Sequence, residues 1–205
     1  MNAENTGRKA DHAIHKVFLD LWSPRAFSGD EISQEDLMRL FEAARWAPSC
    51  YNHQPCRILY ARRQTKPWTL FLNLLVEANK VWAKEAAALL VFVSKTTLDR
   101  DGKPSRTYAF DTGAAWENLA LQACLMGLVT HEMQGFDYAR AKTDLGVPDG
   151  YEVQAMVAVG KQGRKENLPP ELREREAPTD RRKLAETVFE GRFKSVPDLS
   201  PDYPL

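Results

Sequence analysis

Residues 86–94, AAALLVFVS, form an unbroken apolar run. It is too short to be read as a membrane-spanning helix, and its length and valine content point to a strand buried on both faces. A strand of this kind belongs inside a sheet covered on either side, so the remaining segments have to supply the cover. They read mostly as helices. Ile14, Val17, Phe18, Leu21 and Trp22 share one helical stripe over residues 11–22, and Pro24 stops that helix after Ser23. Ser33, with Asp36 three residues on, caps a second helix whose Leu37, Leu40, Phe41 and Ala44 face inward until Pro48. Ile58 and Tyr60 alternate with polar neighbours as a short strand, and Pro67 opens a helix running to about Asn79.

Beyond the polar turn LDRDGKPS at 98–105, residues 106–127 predict a long helix that is apolar nearly all round. Such a helix needs cover on most sides, either from the core or from a second subunit. Residues 128–134 read as a strand and 137–145 as a helix. The span 151–159 reads as a strand with Val153, Ala155, Val157 and Val159 on one face. The rest is rich in charge and proline, with Pro169, Pro170 and Pro178, and ends in the tail VPDLSPDYPL, which has too little apolar pattern to pack alone. Helices outnumber strands without regular alternation, which predicts an α+β layered fold.

With 205 residues and 43% hydrophobic residues, one domain over 1–205 is expected, with 1–10 and 193–205 as tails. The 28 basic and 28 acidic residues balance, giving no global field for nucleic acid or an anionic membrane. No signal peptide or long apolar run is present, so a cytoplasmic protein is expected. Cys50, Cys56 and Cys124 suggest neither a disulfide framework nor a zinc site. The G-x-G-x-x-G, P-loop, H-E-x-x-H and G-x-S-x-G signatures are absent.

Chemistry is left to two loops. Ser23-Pro24-Arg25 puts a hydroxyl, a rigid turn and a guanidinium within three residues, a set suited to an anionic or carbonyl-bearing ligand; a helix stop followed by a solvated arginine is the structural alternative. Pro48 and Pro55 bracket Ser49-Cys50-Tyr51-Asn52-His53-Gln54, dense in hydrogen-bonding groups between a helix and a strand.

Five segments in order carry a resemblance: SPRAF, ARWAPSCYNHQP, an asparagine before AKEAAALLVFVSK, DTGAAWENLALQACLMGLVTHEMQGFD, and a basic pair near the C-terminus. Over roughly residues 11–192 the chain resembles the FMN-dependent nitroreductase family. The resemblance implies a nitroreductase-like α+β fold, a central mixed β-sheet flanked by helices, in an intertwined homodimer with FMN sites at the subunit interface, the helix 106–127 forming much of that interface. It implies that Ser23, Pro24 and Arg25 touch FMN. It likewise implies that Pro48, Ser49, Cys50, Tyr51 and Asn52 lie against the cofactor, with Gln54 in the same stretch. Asn79 falls at the position of a pyrimidine-binding asparagine, Gln134 and Gly135 where backbone amides approach flavin N5 and O4, and Arg181 and Arg182 at the pair that grips the phosphate. Arg181 and Arg182 also read as a solvated charge cluster. No metal is implied.

Two departures stand out: Leu21 replaces an arginine common in the family, and Cys56 an aromatic residue, which puts part of the phosphate grip and of the pocket surface in doubt. His131 and Glu132 are candidate proton donors, although a histidine at a strand end is commonly structural. The implied activity is a ping-pong cycle in which NADPH or NADH delivers hydride to non-covalently bound FMN, and a nitroaromatic, quinone or other electron-poor small molecule then accepts it. Two other classes stay open. One is a non-catalytic protein, either a flavin-binding dimer or a cofactor-free adaptor; the other is a transferase or hydrolase using Cys50 with His53 or His131.

Overall fold

The computed structural model describes residues 7–194. Seven helices are present in that span: α1 (Val17–Asp20), α2 (Gln34–Arg45), α3 (Trp68–Leu74), α4 (Glu77–Ala83), α5 (Tyr108–Leu125), α6 (Tyr138–Asp144) and α7 (Pro170–Arg173). Four strands, β1 (Cys56–Arg62), β2 (Ala88–Lys95), β3 (Val129–Met133) and β4 (Tyr151–Gly160), form one sheet in the order β1-β2-β4-β3. The fold is α+β, as the sequence predicts. Every pairing within the sheet is antiparallel, whereas a mixed sheet was expected. The α5 crossover does leave β2 and β3 running the same way, but β4 fills the slot between them and runs against both.

The apolar run becomes β2, with Ala88 through Ser94 all buried. Leu89, Val91 and Val93 point into one core with Phe71, Leu74 and Met156, while Leu90 and Phe92 point into a second core with Leu37, Leu40 and Leu119. Helix α2 starts where expected: Ser33 Oγ accepts the Asp36 N–H at 3.0 Å, filling one orphan donor of the first turn. Among the described residues, no helix is long and apolar enough to cross a membrane.

Three sequence expectations are corrected. The helix predicted over 11–22 is one turn, Val17–Asp20. His15 Nδ1 accepts the Val17 N–H at its start, and Ile14 and Phe18 stay about half exposed, so packing among the described residues offsets little of the cost of extending it. The helix from Pro67 breaks at Leu75, which leaves helical geometry to form a bridge with Phe136; Val76 N–H then donates to the Gly135 carbonyl at 3.0 Å. Finally, β4 does not keep Val153 on the face of Val157 and Val159. Its register slips at Gln154, where Phe92 pairs with Ala155 but Val93 with Val153, and this bulge turns Val153 to the opposite core.

Helix α5 buries Ala115, Leu119 and Ala123 but leaves Phe110 82% and Leu125 64% exposed, an apolar face left uncovered among the described residues. The charge- and proline-rich segment after β4 packs back on its own chain: Leu168 joins the core and Gly163 N–H donates to the Ala26 carbonyl at 2.7 Å. Of the expected tails, residues 1–6 and 195–205 lie outside the described residues. Arg8, within the first, is tied down: its guanidinium donates to the Thr179 and Leu21 carbonyls at 2.8 and 2.6 Å.

Candidate functional site

The loop that follows α1 runs along the edge strand β3 and meets the segment after α7. Between them lies a cavity of about 830 Å³ lined by Ser23, Arg25, His131 and Arg181, with Trp116 and Ala120 from α5. Three residues expected at the cofactor, Ser23, Arg25 and Arg181, are therefore brought together across more than 150 residues of chain. Arg8 and Arg175 add two further guanidiniums to the wall, opposed by Glu117, Glu132 and Glu174.

The loop is held from behind. Glu176 is buried, and its Oε1 accepts the backbone N–H groups of Arg25 and Ala26, each at 2.7 Å. His131 Nδ1 lies 3.1 Å from the Pro24 carbonyl oxygen; facing an acceptor, that nitrogen carries the proton and donates it. Burial pushes the His131 pKa down to about 4, with nearby Arg25 acting the same way and the Pro24 hydrogen bond opposing. The imidazole is thus neutral near pH 7. Partial burial also lowers the pKa of Arg25, against the pull of Glu176, while partial burial raises that of Glu132 against the Trp116 indole.

A second cluster adjoins this one. The Trp82 ring of α4 packs on His131 with centroids 4.6 Å apart, and one turn earlier Asn79 Nδ2 donates to the Gly135 carbonyl at 3.1 Å. A Cβ on Gly135 would sit 2.6 Å from Asn79 Nδ2, so only glycine permits this approach. The break between α3 and α4 is what brings Asn79 to Gly135. Gln134, exposed, precedes them.

The loop 48–54 stands apart from the cavity within one chain. It is a 3-10 turn in which Tyr51, Asn52 and Gln54 take left-handed φ values of 52°, 53° and 53°. Buried Asp111 on α5 accepts the Cys50 N–H at 3.2 Å, and Ser49 Oγ accepts the Gln54 N–H at 2.9 Å. Tyr51 is exposed beneath the Arg100 guanidinium. No residue from Pro48 to Gln54 lines the cavity, and Arg182 lines only an adjoining, smaller cavity, which Arg181 also lines. His53 faces Asp99 at 3.5 Å, and burial pushes the Cys56 thiol up to about 11. Among the described residues there is no metal-binding cluster.

Arg8, Arg175, Glu176, Trp116 and Asp111 are absent from the sequence-based set. Arg8 lies in a segment read as tail, and Glu176 acts through one carboxylate oxygen, so neither leaves a periodic or motif signal. Where Leu21 replaces a family arginine, the Arg8 guanidinium nevertheless sits on the Leu21 carbonyl.

A family model for the Nitroreductase family matches residues 22–80 and 63–161. A solved structure described as an oxidoreductase containing FMN is 45% identical, covers 93% of this chain and 98% of its own, and superposes with a TM-score of 0.90. A putative nitroreductase in complex with FMN from Desulfovibrio desulfuricans shares the fold at 24% identity and a TM-score of 0.67, over 87% of this chain and 96% of its own. An uncharacterized 15.4 kDa protein of Mycolicibacterium smegmatis is 34% identical over 127 residues, 62% of this chain and 84% of that one. The chain belongs to the Nitroreductase family.

Proposed function

We propose that this protein is an FMN-dependent NAD(P)H oxidoreductase that works as a homodimer and reduces electron-poor small molecules such as nitroaromatics and quinones. The observation that carries this is the convergence of Ser23, Arg25 and Arg181 on one cavity, with Arg8 and Arg175 beside them. The donor set fits FMN. Guanidinium groups and a serine hydroxyl suit a phosphate and a polyol chain, and the Asn79–Gly135 contact puts a side-chain amide beside a backbone segment. The 45% identical relative described as containing FMN supports the same cofactor.

When bound, FMN would relay hydride from a nicotinamide to the acceptor in two successive half-reactions. The residues of this chain do the holding and the electrostatics. Arg25, Arg175 and Arg181 would neutralise anionic charge on the cofactor, with Ser23 hydrogen-bonding beside them. His131 keeps its Nδ1 proton on the Pro24 carbonyl, so it shapes the loop and does not serve as the proton donor. Asn79, with Gln134 and Gly135, would meet the polar edge of the ring. Tyr51, Asn52 and the rest of the loop Pro48 to Gln54 would come from the second subunit, docked through the exposed face of α5 that carries Phe110 and Leu125.

The test is the absorbance spectrum of the purified protein, followed by anaerobic titration. Flavin bands that NADPH or NADH bleach, and a quinone or nitroaromatic restores, are expected. Colourless protein that takes up no added FMN refutes the proposal, and flavin bands that neither nicotinamide bleaches reduce it to a non-catalytic flavin binder.

A further inference from the structure

The two arginines near the C-terminus differ in reach. Arg181 lines both the large one and a neighbour of about 440 Å³, whereas Arg182 lines only the neighbour. The neighbour's wall carries Arg8, Lys9, Arg181, Arg182 and Lys183 against two carboxylates, Asp11 and Asp180. The large cavity is far closer to balance, with four guanidiniums against three carboxylates. Half-exposed Phe18 and Ile14 supply apolar surface beside the cations, and Phe18, Arg8 and Arg181 are common to both cavities, which therefore adjoin.

A surplus of three positive charges next to an aromatic ring is the chemistry that receives a phosphomonoester dianion carried by a flat heterocycle. Lys9, Arg182 and Lys183 do not reach the large cavity, so a phosphate held there makes no use of them. Lys9 and Lys183 are exposed, and exposed cations give a modest, salt-screened grip. That suits a ligand that must leave in each cycle better than a resident cofactor.

We propose that the smaller cavity receives the 2′-phosphorylated adenosine end of NADPH, its adenine against Phe18 and its phosphate among Lys9, Arg182 and Lys183, making NADPH the preferred reductant. This rests on reading the large cavity as the FMN site, where the nicotinamide end would then lie.

The test uses FMN-loaded protein and two probes without a nicotinamide, adenosine 2′,5′-bisphosphate and AMP, measured by calorimetry alongside kcat/KM for NADPH and NADH. The bisphosphate should bind at least about tenfold more tightly than AMP and compete with NADPH. Lys9→Ala combined with Lys183→Ala should lower the ratio of NADPH to NADH efficiency by about tenfold, and raising salt to roughly 0.3 M should lower it in the unaltered protein. Equal affinity for the two probes, or an unchanged ratio in both the variant and high salt, overturns the inference. Loss of FMN from the variant with the ratio intact also overturns it, assigning these cations to the cofactor phosphate. Failure of FMN binding in the unaltered protein strikes the proposed function instead, and the calorimetric comparison, which needs no turnover, still reads the anion site.

Discussion

Replacing Glu176 isolates how far the cavity depends on one carboxylate. Its Oε1 accepts two backbone N–H groups at 2.7 Å, from half-buried Arg25 and from buried Ala26. Its Oε2 is buried with no hydrogen-bond partner among the described residues, so the two backbone bonds at Oε1 are the ones a substitution removes. Hydrogen bonds to a charged acceptor contribute about 1.5–3 kcal/mol each, and a stranded buried donor costs about 1–3 kcal/mol. Glu176→Ala should therefore destabilise by about 3–5 kcal/mol. Glu176→Gln keeps an oxygen before both donors but makes both bonds neutral, for a loss of about 2 kcal/mol. At roughly 2–4 °C per kcal/mol for a domain of this size, melting should fall by about 6–20 °C in the alanine variant and about 4–8 °C in the glutamine variant, at fixed protein concentration. FMN retention should fall in the same order, because the residues on either side of Glu176 line the cavity. An alanine variant melting within about 2 °C of the unaltered protein, or a glutamine variant melting below the alanine one, would refute the reasoning.

Three more outcomes are expected. Gly135→Ala places a Cβ 2.6 Å from Asn79 Nδ2 and 3.2 Å from a Val76 methyl, so it should break the Asn79–Gly135 bond at a cost of about 1–3 kcal/mol and weaken FMN retention, read by melting and by ultrafiltration. Because the folded-state pKa of His131 is about 4, below the unfolded value near 6.5, the folded protein favours the neutral form, and this contribution is full above about pH 6.5 and lost as pH falls toward 4. Melting curves across that window should show a shallower pH dependence in His131→Asn than in the unaltered protein; parallel curves would remove His131 as the cause. Arg25→Ala should raise the Kd for FMN about tenfold or more in apoprotein titrations while Glu176 still holds the loop backbone, and an unchanged Kd takes this side chain out of the site.

Local signals were legible wherever local forces decide the outcome. The Ser33 cap and the apolar face mark α2, and the length and valines of the run at 86–94 favour the strand that forms over Ala88–Lys95. The first helix is shorter than its stripe because Ile14 and Phe18 stay half exposed among the described residues. The bulge at Gln154 and the break at Leu75 were illegible for a different reason: both follow from partners far away in sequence, Phe92 and Val93 for the one and Phe136 for the other. In the candidate site, Ser23 and Arg25 announced themselves by their neighbours, whereas Arg8, Arg175 and Glu176 matter only once the chain has returned to the same edge of the sheet. Nor does spacing indicate that Arg181 reaches two hollows and adjacent Arg182 only one of them.

The Arg8 guanidinium spans Leu21 and Thr179, so segments 171 residues apart are tied together at the cavity. All four strands end by Gly160, whereas Glu174, Arg175, Thr179 and Arg181 of the wall come after it, so a chain cut after Arg173 would keep every strand and lose that side of the cavity.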